Sequence, residues 1–413
     1  MRLSQSLFKT TKTIPGDEQA KNAKLLIQAG FVYKEMAGVY AYLPLGLRVL
    51  ENIKEVIRSE MNDLGASELL MTSLQPKDTW EMTGRWDDET VDVWFKSKLK
   101  NGTEIGFGWS HEEALMLLIS KFVHSYRDLP GGVYQFQTKL RNELRSKSGL
   151  LRGREFLMKD MYHFSRSQEE LDEFYERAKQ AYLNVYAKLG LGENTFLTFA
   201  SGGAFTQFSH EFQTVLRDGE DTIYLDRAKK LAINQEVYTD EVIAQLGLKK
   251  EDLEEVRASE VGNIFNFGSV KGEQMSVQFS DESGNRKPVF LSSYGIGVSR
   301  LMGVMAELFN DNRGLVWPKQ IAPAKVYLIA IGDEKATNAA EDLYNILTER
   351  GVAVIYDDRD VRAGEKFADA DLMGIPWRVV ANNQAQADGY EIKDRIENTP
   401  KHMNAQALVK LVA

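Results

Sequence analysis

The 413-residue chain contains no cysteine. That absence excludes disulfides, thiolate metal sites and cysteine nucleophiles. It fits a reducing cytoplasm, the expected compartment. Histidine is nearly as scarce. The five are His111, His124, His163, His210 and His402, and none stands at metal-ligand spacing from another. No Walker loop occurs, and no dinucleotide fingerprint follows a first strand. The segment Gly295-Ile296-Gly297-Val298 opens like that fingerprint but runs on into Ser299-Arg300. No apolar run is long enough to span a bilayer. The polar N-terminus, with Arg2, Lys9 and Lys12 scattered through it, has no apolar core of signal-peptide length. A net positive charge is also lacking: 51 Lys and Arg stand against 60 Asp and Glu, a formal charge of -9. This argues against a protein that coats DNA, but leaves room for a local basic patch.

What is present is ordinary for a soluble globular protein, with 43% hydrophobic and 27% charged residues. The length allows two or three domains of roughly 100–200 residues each. Helical spacing of Leu47, Leu50, Ile53, Ile57 and Leu64 predicts a helix from Pro44, ended by Gly65. A short strand at Glu68–Met71 and a helix over Glu112–Val123 follow. Val133–Leu140 and Phe156–Phe164 read as the two strands of a hairpin with a long basic tip. Glu169–Leu189 reads as an amphipathic helix, capped by Ser167 and closed by Gly190. Pro288–Tyr294 reads as a buried strand that enters the helix Val298–Leu308 through Gly295 and Gly297. Around Trp317 the composition changes, and two prolines mark a linker. Beyond it, strands expected at Val326–Ile331, Val352–Tyr356 and Arg378–Ala381 alternate with helices at Ala336–Arg350 and Phe367–Met373. The expectation is an α+β domain over residues 1–317, a linker over 318–324 and a small α/β domain with a largely parallel sheet over 325–413.

One basic patch stands out. Between Lys139 and Lys159 there are seven basic residues against two acidic ones. Arg141 and Glu143, two apart on a predicted strand, share a face, as do Arg152 and Arg154 on, or just before, the returning strand. Arg300 opens a helix after a glycine-rich turn, where N–H groups already favour an anion. Arginines from separate elements suit a polyphosphate, because guanidinium groups fork onto its oxygens. From spacing alone, a set of surface ion pairs explains the pattern equally well.

At these residues the sequence resembles the three motifs of class II aminoacyl-tRNA synthetases, in the family's order. The first matches Gly46 to Pro76. The second runs from Arg141-Asn142-Glu143 to Arg154-Glu155-Phe156, and the third is Gly295-Ile296-Gly297-Val298-Ser299-Arg300. Within the class the chain is most similar to bacterial prolyl-tRNA synthetases. That similarity is carried by Gln137-Thr138-Lys139, Ser209-His210-Glu211-Phe212, Glu260-Val261-Gly262 and Gly314-Leu315-Val316-Trp317-Pro318. In the tail it continues through Asp357-Asp358-Arg359 and Phe367-Ala368-Asp369 to Gly374-Ile375-Pro376.

The resemblance implies a catalytic domain built on an antiparallel sheet with flanking helices, followed by an anticodon-binding domain. It implies ATP and Mg²⁺ as cofactors, proline and tRNA(Pro) as partners, and a homodimer through the first motif. Membrane and DNA are not expected as partners. Arg141 should hold the α-phosphate and the amino-acid carboxylate. Glu143 should bind the adenine amino group, and Phe156 should stack on the ring. Arg300, assisted by Arg152, should hold the γ-phosphate end. Glu260 and Asn263 fall where the family binds ribose and metal, with Glu260 the expected Mg²⁺ ligand and no zinc site. Ser110, Glu112, His210 and Ser293 are expected around the proline. Arg145 and Lys147 at the hairpin tip should reach the acceptor end, and Asp358, Arg359 and Lys366 the anticodon.

Several positions depart from the family's pattern. Trp109-Ser110 replaces Pro-Thr, Ser293 replaces Cys, and Asn263 and Asn266 replace His and Gln. The departures lie near the expected ligands. The large editing domain that many bacterial relatives insert between the second and third motifs is reduced to about Val237 to Val256. No clearance of Ala-tRNA in cis is therefore expected. A threonyl enzyme is disfavoured, because its zinc site needs a cysteine.

Overall fold

The computed structural model describes residues 1–144, 146, 148–206, 208–397 and 399–412. It forms two compact units that part elsewhere than the sequence-based bounds. One comprises Ala37–Val39 and Lys54–Val304, the other Met1–Met36, Tyr40–Ile53 and Met305–Ala413. The division runs through the helices Pro44–Asp63 and Val298–Leu308. Among the described residues no helix is long and apolar enough to cross a membrane.

A nine-stranded sheet forms the first unit. Its strands run in the order Phe208–Val215, Thr195–Ser201, Leu231–Asn234, Asp221–Asp226, Glu254–Gly268, Phe290–Gly297, Glu155–Ser165, Gly131–Leu140 and Ser67–Glu68. An added pairing of Phe208–Val215 with Glu254–Gly268 closes the first five into a ring around Phe196, Ile223, Leu225, Ala232 and Ala258. All pairings are antiparallel except Leu231–Asn234 with Thr195–Ser201 and Ser67–Glu68 with Gly131–Leu140. The expected hairpin is there: Leu140 faces Glu155 and Gly131 faces Phe164.

The long helix covers one face of this sheet as Gln168–Lys188. It buries Leu171, Phe174, Tyr175, Ala178, Tyr182 and Val185, a stripe repeating every three to four residues. The Ser167 hydroxyl caps its start by accepting from the Glu170 N–H, and Gly190 at φ +80° ends it. Against the other face pack the helices Glu112–Ile119 and Val270–Gln274, around Leu115, Met116, Tyr162, Phe164, Phe265 and Leu291. Where an editing domain would be inserted, residues 235–253 hold a short helix, Asp240–Gln245, between two 3-10 turns. Val242, Ile243 and Leu248 seat it on Phe199 and Ile233.

The second unit carries a five-stranded sheet in the order Val354–Asp357, Val326–Ala330, Trp377–Ala381, Tyr390–Asp394, Lys401–Met403. The first three strands are parallel and the last two join antiparallel. The expected parallel pattern thus holds for the three strands linked by helices and fails for the last two. Glu334–Glu349 and Ala405–Val412 pack their apolar stripes on it through Leu343, Leu347, Leu408 and Val409.

Candidate active site

Strand alternation decides which side chains meet. On the sheet face away from the long helix, Met158, Asp160 and Tyr162 stand opposite Gly297, Gly295 and Ser293. The next strand adds Asn263 opposite Gly295 and Phe265 opposite Ser293. Gly295 leaves this floor bare: a Cβ there would lie 3.0 Å from the Asn263 Oδ1. The resulting cleft is lined by Arg141, Phe156, Met158, Glu260, Asn263 and Arg300, among others.

Arg141 lies one residue past its strand, held by the Arg141 N–H donating to the Arg154 carbonyl at 2.8 Å. Its guanidinium sits over the Phe156 ring, 5.3 Å from the centroid. Its Nε and Nη2 reach only the Trp109 carbonyl among the described residues, at 3.4 Å each. Among the described residues no carboxylate lies at ion-pair distance from it. Burial lowers its pKa, against the pull of Glu260 and Glu143. A half-buried cation with no acid partner among the described residues is electrostatically prepared for an anion. Arg300, in contrast, already holds the Glu260 main-chain carbonyl and lies 3.3 Å from the Glu260 carboxylate. Glu260 also accepts from the Asn263 Nδ2 at 2.7 Å. At the rim Arg152 donates to Glu143 at 2.9 Å, and the Arg154 Nε donates to the Glu143 carbonyl at 3.0 Å. Arg145 and Lys147 lie outside the described residues.

Three of the residues expected around the proline, Ser110, Glu112 and Ser293, are buried. The Ser110 main-chain carbonyl accepts from the Gln75 Nε2 at 2.9 Å, and Tyr162 stands opposite Ser293. Phe205 stacks on Phe265 at 4.5 Å and tilts onto Trp109 at 5.5 Å. Glu112 is buried and accepts from the Arg85 Nη1 at 3.3 Å. The same nitrogen donates to Glu113 at 2.9 Å, and Lys271 closes on Glu113 at 2.6 Å. The Arg85 guanidinium lies 4.5 Å from the Trp109 ring and 4.7 Å from that of Phe205. The tryptophan that departs from the family's pattern is thus one plate of an arginine's aromatic box.

His210 is a correction. Its partners across the strands are Ile264 and Phe199, so it points to the long-helix face, where its Nδ1 meets the Tyr175 hydroxyl at 3.0 Å. Burial, with Lys179 adding, lowers its pKa to about 4. The residue facing the cleft is its neighbour Glu211, opposite Asn263. Sequence reasoning missed Glu211, although period-2 alternation allows only one of the two on that face. Burial, then the nearby Glu260 charge, pushes the Glu211 pKa up to about 8. A carboxyl with a raised folded pKa stabilises the fold fully below the unfolded value, here 4.5, and loses that contribution as pH rises through about 8. Glu211→Gln is therefore expected to flatten the decline of thermal stability across that window. Parallel melting-temperature profiles for wild type and variant would refute it.

In the second unit the three anticodon candidates are already engaged. Arg359 donates through Nε and Nη2 to Asp357 and through Nη2 to Asp369, each at 2.7 Å. Lys366 donates to the Asp357 carbonyl at 3.1 Å, and Asp358 accepts twice from Ser4. They line a crevice with Gly332, Thr337, Glu341 and Tyr356.

Family models place this geometry. Residues 95–309 match the tRNA synthetase class II core domain (G, H, P, S and T), and residues 325–413 match an anticodon-binding domain. The proline–tRNA ligase of Rickettsia africae is 33% identical over an alignment of 428 residues that spans all of both chains. That of Rickettsia akari is 34% identical with the same coverage. The chain belongs to the prolyl-tRNA synthetase family. Its fold is also that of a prolyl-tRNA synthetase from Cryptosporidium parvum solved with halofuginone and AMPPNP. That comparison has a TM-score of 0.77 at 18% identity and covers 95% of this chain and 75% of the other. A second structure of that enzyme, with L-proline and AMP, gives a TM-score of 0.75 at 18% identity, over 95% and 73%. The Rickettsia ligases match from end to end, so family members of this length share the reduced segment between the second and third motifs.

Proposed function

We infer that this chain is a proline–tRNA ligase, with residues 1–317 as its catalytic domain, 318–324 as a linker and 325–413 as its anticodon-binding domain. Proline's carboxylate attacks the α-phosphorus of ATP, pyrophosphate leaves, and a ribose hydroxyl of the terminal adenosine of tRNA(Pro) then takes the prolyl group and releases AMP. The observation that carries the chemistry is Arg141, a half-buried guanidinium lining the cleft with no acid partner among the described residues. In this reading it holds the α-phosphate and the carboxylate, so that both reacting groups meet on one cation. Phe156 stacks on adenine, and Glu143 accepts from its amino group. Arg300 exchanges Glu260 for the γ-phosphate end, with Arg152 assisting. Asn263 takes the ribose. Glu112 and Ser110 take the proline ammonium, and Ser293 walls the ring. Arg145 and Lys147 contact the acceptor end, and Asp358, Arg359 and Lys366 shape the anticodon surface.

Mg²⁺ fits the donor set on the cleft face. Glu260 offers the hard carboxylate oxygen such an ion prefers, and Glu211, whose pKa is raised by burial and then by the Glu260 charge, would join it only on giving up its proton. Among the described residues no cluster of three or more His, Cys, Asp or Glu is arranged for a metal, so the phosphates would complete its shell. The bound ion would supply neutralisation of phosphate charge.

Amino-acid-dependent ATP–pyrophosphate exchange tests the reading. Strong exchange with proline and weaker exchange with alanine are expected, since a missing methylene gives only about 10–200-fold discrimination. Ala-tRNA, once formed, should persist, because residues 235–253 hold only a short helix between two turns. No exchange with any amino acid in folded protein would overturn the assignment, and deacylation of Ala-tRNA by the protein alone would overturn the absence of editing.

The homodimer belongs to the same reading. Leu70, Leu74 and Phe122 are 74%, 51% and 69% exposed in the isolated chain, an apolar surface that a second copy would cover. Sedimentation equilibrium should give twice the chain mass for wild type and a single mass for Phe122→Asp. A monomeric wild type would refute the dimer.

A further inference from the structure

Residues 1–12 run along the second unit as an anchored strap. Arg2 pairs in parallel with Tyr356. The Leu3 N–H donates to the Tyr356 carbonyl and the Tyr356 N–H to the Met1 carbonyl, each at 2.9 Å. A single parallel bridge thus ties the strap to the outer edge of Val354–Asp357, and Leu3 is buried. Arg2 forks onto Glu341 at 2.7 and 2.5 Å with its guanidinium over the Tyr344 and Tyr356 rings. Ser4 donates its N–H and hydroxyl to the two oxygens of Asp358, at 2.8 and 2.6 Å. The Thr10 hydroxyl donates to Asp369 at 2.7 Å, and the Thr11 N–H to the Gln28 carbonyl at 2.9 Å. Asp358 and Asp369 are the two ends of the segment that carries Arg359 and Lys366.

Between and just past these anchors the strap turns the wrong residues outward for a purely structural element. Leu7 is 91% and Phe8 44% exposed. Lys9 and Lys12 are exposed as well, and neither makes an ion pair among the described residues. An exposed aromatic side chain followed by two cations without ion pairs among the described residues suits single-stranded nucleic acid, the ring under a base and the ammonium groups on phosphates.

We propose that the strap is part of the tRNA-binding surface. Phe8 stacks on an unpaired base of the anticodon loop, Lys9 and Lys12 contact its phosphates, and Arg2, Ser4 and Thr10 are the positioning residues. The proposal rests on the assignment of residues 325–413 to the anticodon end of tRNA. The engaged state of Asp358 fits it: that carboxylate spends its oxygens on holding the strap.

The test uses the full chain and a tRNA(Pro) transcript, with affinity measured across a salt series. Two lysine–phosphate contacts to a single strand predict that Lys9→Ala/Lys12→Ala lowers the slope of log affinity against log salt by roughly 1.4. Phe8→Ala is expected to weaken binding by roughly 5–100-fold. Proline-dependent pyrophosphate exchange should match wild type in both, which separates lost RNA binding from lost folding. Unchanged affinity and slope would overturn the proposal. A transcript with replaced anticodon bases separates the two layers. If wild type binds it as well as the cognate one, the anticodon assignment fails and the proposal with it. If wild type discriminates and the variants behave like wild type, the strap proposal alone fails.

Discussion

Arg141→Ala is expected to lower kcat/KM for proline-dependent pyrophosphate exchange by about 10²–10³-fold, the cost of removing one preorganised donor from the site of developing charge. The size of the effect follows from what surrounds the side chain. A surface arginine with a carboxylate neighbour would be partly redundant. Arg141 has two long contacts to one carbonyl, and its charge is disfavoured by burial. Its interaction with the fold is weak, so its interaction with a phosphate and a carboxylate is little offset by what must be given up. Arg141→Lys keeps a charge but loses the fork that engages two oxygens at once, so it should fall between alanine and wild type. Exchange by the alanine variant within tenfold of wild type would remove Arg141 from the reacting centre. Arg300→Ala should cost less, because Glu260 competes for that cation before any nucleotide arrives.

The sequence was a good guide where local pattern and geometry coincide. The helix Val298–Leu308 begins and ends where the apolar spacing puts it, and the hairpin and the Ser167 cap are where turn and cap chemistry require them. Arg141, Phe156, Glu260, Asn263 and Arg300, distant in the chain, line one cleft. Legibility ended at alignment between strands. His210 and Glu211 are adjacent, and only the register against Asn263 and Ile264 says which of them enters the cleft. It also ended at buried charge. Nothing in the composition announces that Arg85 lies in an aromatic box beneath Trp109, because the box draws Trp80, Trp109 and Phe205 from separate segments. The closed ring of five strands depends on a long-range pairing that no local periodicity encodes.

A second large effect is expected at a group outside the reacting centre. Lys139 is 1% exposed. Its Nζ donates to the Asp160 Oδ2 at 2.7 Å and to the His111 Nδ1 at 2.5 Å. Burial, with Lys139 adding, lowers the His111 pKa to about 4. The ring is then neutral, accepting at Nδ1 and donating from Nε2 to the Thr72 carbonyl at 3.1 Å. The same Asp160 oxygen also accepts from Gln135 and Tyr162, while Oδ1 is buried without a partner among the described residues. Lys139→Met would leave the Asp160 charge desolvated with neutral donors only, and breaking a buried pair from one side costs about 3–5 kcal/mol. For a unit of this size that lowers the unfolding midpoint by on the order of 10 °C. Asp160→Asn should cost a comparable amount by stranding the ammonium. The double variant Lys139→Met/Asp160→Asn should recover much of the loss, because no charge is then left unmatched. A double variant as unstable as the sum of the singles would mean that packing, not pairing, sets the cost. Activity should respond as well. His111 follows Ser110 and Trp109, and the Trp109 carbonyl is what Arg141 rests on. Loosening the Lys139–His111 contact should therefore raise KM for proline even at temperatures where the single variants remain folded, and an unchanged KM would separate this buried network from the amino-acid pocket.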